Sequence, residues 1–82
     1  MTTEEIKVFL VEANDWEDSI TIGVCSTRSN AIEMAHLFCK KRKLRIVSEK
    51  QYEDGILYLR TVDKQDAPDR TIVITEYQLD KA

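Results

Sequence analysis

The sequence predicts an α+β domain: one antiparallel sheet of four to five strands with a single helix on one face, in the order β-β-α-β-β-β. Three observations predict it. Short runs rich in Val, Ile and aromatic residues recur at 6–12, 19–25, 56–62 and 71–77, as expected of residues that fit a pleated surface. Only the stretch around 31–43 carries apolar residues at three- and four-residue spacing, the period of one helix face. Turn formers such as Asn14-Asp15 and Glu53-Asp54-Gly55 separate the runs, and short links of this kind join antiparallel neighbours.

The first strand is apolar on both faces, with Ile6, Val8 and Leu10 on one and Phe9 and Val11 on the other. That suits a strand in the interior of a sheet. In the second, Ile20, Ile22 and Val24 alternate with Ser19, Thr21 and Gly23, so one side of it should be buried. The short link through Trp16 makes the two a hairpin.

Ser26-Thr27-Arg28-Ser29-Asn30 offers side-chain oxygens to the free N–H groups of a first helical turn. Ala31, Ile32, Met34, Ala35, Phe38 and Cys39 then form an apolar stripe, and Lys40-Lys41-Arg42-Lys43 places positive charge at the negative end of the helix dipole. The helix is expected to end near Lys43. Leu44–Tyr52 mixes Ile46, Val47 and Tyr52 with many charges, which reads as an edge strand. Strands at 56–62 and 71–77 flank the polar segment Asp63–Asp69, whose Pro68 marks a loop.

With 82 residues, the chain supports one hydrophobic core and a single domain over 1–82. It has 43% apolar residues and only two Gly and one Pro, the composition of a folded domain rather than a disordered tail. The start, MTTEEIKVFLVE, has acids where an export signal needs basic residues. No apolar run approaches the roughly 18 residues that span a bilayer. A cytoplasmic setting without membrane contact is therefore expected, with Cys25 and Cys39 as buried thiols rather than a disulfide.

Catalytic chemistry has little to work with. His36 is the only histidine, so any histidine-dependent mechanism would need it, with Cys39 one turn on. A helical His-x-x-Cys supplies at most two metal ligands. Gly23 and Gly55 are the only glycines, and no phosphate-binding loop can be built from them. No catalytic residue, cofactor or metal is expected, and the chain reads as one that works by binding.

One helix covers about one face of such a sheet. If Ile20, Ile22, Val24, Ile72 and Ile74 pack beneath it, Phe9, Val11, Tyr58, Val62, Val73 and Tyr77 are left on the open side. Neighbouring apolar residues in the open mark a protein contact, so Phe9, Val11, Tyr58, Val73 and Tyr77 are the expected docking residues, for a partner or for a second copy in a homodimer. The competing expectation is that the 63–70 loop or the termini cover that face. Trp16, between Asp15 and Glu17, is of a type that often dominates binding energy, although a loop Trp also commonly caps its own core.

The net charge is −3. Five of the 12 basic residues crowd into Lys40, Lys41, Arg42, Lys43 and Arg45, which leaves the rest of the chain at −8. These five are the alternative site, a contact for nucleic acid; the plainer reading is complementarity to the helix end. No ribonucleoprotein signature accompanies them.

Lys7-Val8-Phe9-Leu10-Val11, Ile22-Gly23-Val24-Cys25-Ser26 leading into Ala31, and the closing IVITEYQL of 72–79 followed by Asp80 resemble a group of small bacterial and phage proteins. These share a strand, an x-G-V-x-S exit into a helix and an I-x-E-Y-x-L-D finish. The resemblance covers about half the chain and carries no activity. It implies a phage or mobile-element setting, in which such a protein would bind and modulate or inhibit a host protein in the host cytoplasm.

Overall fold

The computed structural model describes residues 6–51 and 55–79. Its elements are β1 (Ile6–Asn14), β2 (Ser19–Cys25), α1 (Arg28–Arg42), β3 (Arg45–Gln51), β4 (Leu57–Val62) and β5 (Pro68–Leu79). The five strands form one sheet in the order β2-β1-β5-β4-β3, every pair antiparallel. The fold is thus α+β with five strands, and the charged segment after the helix is indeed an edge strand. The Glu53-Asp54-Gly55 turn falls mostly outside the described residues. Among those residues no helix is long and apolar enough to cross a membrane.

Local chemistry sets the boundaries. The β1–β2 turn closes through Asp15 N–H to the Asp18 carbonyl at 2.7 Å. Asp15 Oδ1 accepts from Trp16 N–H at 2.6 Å, and the Ser19 hydroxyl donates to Asn14 Oδ1 at 2.6 Å. Thr27 caps α1: its backbone is extended (φ −131°, ψ 152°) and its Oγ1 accepts from Asn30 N–H at 3.2 Å. At the other end Lys43 takes the left-handed conformation, φ 58°, and Leu44 N–H reaches back to the Cys39 carbonyl at 2.8 Å.

Beneath the helix lies the core. Ala31, Ala35 and Cys39, four residues apart, form the buried line of α1, and their small side chains let it sit close to the sheet. Ile32, Met34 and Phe38 flank that line and pack on the same core. Facing them are Phe9, Val11, Ala13, Leu57, Leu59, Ile72 and Ile74, all buried. Register explains the grouping: Val11 pairs with Ile74 and Ala13 with Ile72, while Leu57 and Leu59 pair with the same two from the other side. Thr61 joins them, with its hydroxyl donating to the Arg70 carbonyl.

Two expectations are corrected here. Phe9 and Val11 are 7% and 0% exposed beneath α1, not on the open side. Glu12 and Asn14 share the parity of Val8 and Leu10, so water wets that face of β1, while Ala13 continues the dry line of Phe9 and Val11. Val24 is also displaced, from the buried side to the open one, where it is 59% exposed. The β1–β2 register slips between Val11 and Glu12: an extra residue in β2, Ile22, packs on the core beside Gly23 and reverses the alternation beyond it.

The segment after β4 is shorter than expected, because β5 begins at Pro68. Asp63 Oδ1 accepts from Gln65 N–H and Ala67 N–H at 2.8 and 3.0 Å. The turn is therefore closed on itself and does not drape across the sheet. A covering role for the termini lies outside the described residues.

Candidate interaction surface

The face of the sheet away from α1 is built by the residues that alternate with the core. Across the strands, Val24 pairs with Leu10 and Leu10 with Thr75, Val8 with Tyr77, Glu12 with Val73, and Val73 with Tyr58. Asn14 pairs with Thr71, Thr71 with Arg60, and Arg60 with Ser48. Among the described residues no helix or loop covers this face.

The surface has two unlike halves. Toward the start of β1 and the end of β5, Val8 and Leu10 are half-buried, with Val24 59% and Tyr77 48% exposed. This half is apolar. Toward the β1–β2 turn the surface dips into a shallow hollow of about 570 Å³ lined by Asn14, Ser48, Lys50, Tyr58, Arg60, Thr71 and Val73. A second hollow, of about 260 Å³, shares Ser48, Arg60 and Thr71 with the first and has Trp16 on its rim.

Trp16 is 99% exposed, so the core-capping reading of this residue is not realised. The turn that presents it is ordered by the three hydrogen bonds given above. It is also held from below: Arg70, whose side chain is only 16% exposed, has Nη2 3.9 Å from Asp15 Oδ2 and 4.0 Å from Asp18 Oδ2. Neither family model, curated protein nor solved structure matches this chain. The assignment of the surface therefore rests on its geometry.

Of the expected docking residues, Tyr58, Val73 and Tyr77 do share the open face with Trp16 at its end, although Val73 is only 8% exposed. Phe9 and Val11 lie beneath the helix. Sequence reading missed Val8, Leu10 and Val24; the polar Glu12 and Asn14 two and four places beyond Leu10 were the signal for the first two.

The basic segment is more engaged than its composition suggests. The Arg42 guanidinium stacks 4.9 Å from the Phe38 ring centroid, Arg45 is ion-paired with Asp66, and Lys43 forms the helix cap. Lys40, Lys41 and Arg42 all fall in the last helical turn, where the dipole favours them.

Cys25 and Cys39 are free and buried. Cys25 Sγ lies 3.9 Å from Met34 Sδ. Burial, and secondarily the negative charge of Asp69, push the Cys39 thiol above its ordinary pKa, the opposite of what an activated nucleophile requires. His36 is exposed and shares a shallow depression with Cys39. Among the described residues no group of three or more His, Cys, Asp or Glu could hold a metal ion.

Proposed function

We propose that this chain is a non-enzymatic protein-binding module whose docking surface is the sheet face opposite α1, with Trp16 as its anchor. The observation that carries the reading is a tryptophan 99% exposed on an ordered turn, at the end of a face that also exposes Tyr77 and Val24. Fixing the turn beforehand lowers the ordering cost of binding, and a large aromatic side chain gains most from desolvation at a contact. The resemblance to small phage proteins extends the proposal to a phage-encoded modulator of a host protein.

The basic segment supplies the competing reading, a nucleic-acid regulator, and one set of variants separates the two. Trp16→Ala with Tyr77→Ala should abolish capture of the partner from a bacterial lysate, while Lys41→Glu with Lys43→Glu leaves it intact. Both pairs are exposed, so circular dichroism should show each variant folded. Capture that survives the aromatic changes but is lost with the lysines, and that weakens with added salt, would replace the sheet face by the helix end.

A further inference from the structure

The two edges of the sheet are unlike. β3 carries Arg45, Glu49 and Lys50, the charges that commonly keep an edge strand from pairing with another chain. β2, Ser19-Ile20-Thr21-Ile22-Gly23-Val24-Cys25, carries none. Its only irregularity, the bulge at Ile22, directs that side chain into the core. Half-exposed Leu37 of α1 and Val24 flank this edge and line one shallow depression beside it with Met34.

The two ends of β2 are complementary in charge. Asp15, Glu17 and Asp18 precede it. Following it is the N-terminus of α1, whose first turn has no acidic residue and begins with Arg28. The positive end of the helix dipole is therefore not neutralised within its own first turn.

We infer that β2 pairs antiparallel with β2 of a second copy, giving a two-fold dimer with one continuous ten-stranded sheet. Because the bulge reverses the alternation, the faces of the two copies match in an antiparallel pair centred between Ile22 and Gly23. This pairing sets Ile20 opposite Cys25 and Thr21 opposite Val24 of the second copy. Asp18 and Glu17 then come beside Ser26, Thr27 and Arg28 across the axis. Because the contact is two-fold, the acid-to-helix pairing occurs twice. The backbone groups at the outer edge of β2 gain partners, both helices lie on one side, and the open face doubles in width. This concerns an edge rather than the face assigned above, so either proposal can fail without the other.

Sedimentation equilibrium from about 1 to 200 μM tests it. The wild type should reach twice the 9.5 kDa chain mass. Thr21→Lys, which puts a charge on the bare edge at an exposed position, should remain monomeric with an unchanged circular dichroism spectrum. Glu17→Arg should weaken association roughly tenfold through two repulsive contacts, and adding Arg28→Glu should restore it. A wild type monomeric throughout, a Thr21→Lys variant that associates normally, or a double variant that recovers nothing would each overturn the inference.

Discussion

Lys43 ends α1 with φ 58° and ψ 42°, a conformation that brings Cβ close to the following carbonyl oxygen and costs an L-residue about 1–2 kcal/mol. Glycine avoids that contact, although it also gives up a cation favourable at the helix end by about 0.3–1 kcal/mol. The strain is the larger effect. Lys43→Gly is therefore predicted to stabilise the fold by about 0.5 kcal/mol, a rise of roughly 2–4 °C in Tm for a domain of this size, measurable by thermal denaturation; a fall in Tm would contradict it. The end of the helix near Lys43 was legible from composition, but the left-handed turn was not, because nothing in a run of lysines and arginines signals positive φ. Trp16 was legible as a residue of interest. Its exposure was not, since whether a turn folds back over its own core depends on contacts such as Arg70 with Asp15 and Asp18 that come from distant β5.

At the level of elements, β2 and α1 meet where Gly23 lies under Met34. A Cβ at position 23 would come within 2.7 Å of Met34 Sδ and 3.0 Å of its Cε. Alanine there would only displace a flexible tip, whereas a branched side chain overpacks the contact. Gly23→Val is predicted to cost about 1–3 kcal/mol. In a double-mutant cycle with Met34→Ala, the two changes should together cost clearly less than the sum of their separate effects, because the smaller residue vacates the space; strict additivity in urea denaturation would show that they are not in contact. The same glycine was the available sign of irregularity in β2, as an internal strand glycine often marks a bulge. Reading β2 as uninterrupted alternation put Val24 on the wrong face. The limits of β2 and the end of α1, by contrast, followed closely from turn and charged residues. β1 runs two residues past the expected Glu12, and the 26–30 cluster located the helix start without singling out Thr27 as its cap.

For the whole molecule the governing fact is coverage. A helix of fifteen residues is about 22 Å long, and four strand spacings amount to about 19 Å. α1 therefore just reaches across from β2, whose end it follows, to β3, whose start it precedes, and its apolar residues are committed to one face. That imbalance was legible from counting elements. Strand order was not: β5 pairs with β1 across some sixty residues of chain, and local patterning carries no information on such a partner. Parity across β1 decided which residues occupy the open face, and it depended on weighing Glu12 and Asn14 as solvent markers. The elongated shape, 55 × 22 × 21 Å, leaves the surface long and accessible. Hydroxyl-radical footprinting of the dilute, isolated protein tests this account most directly, because it reads side-chain exposure residue by residue. Trp16, Tyr77 and Val24 should be oxidised readily while Phe9 and Leu59 are protected; protection of Trp16 and Tyr77 together with oxidation of Phe9 would mean that the opposite face of the sheet is the open one.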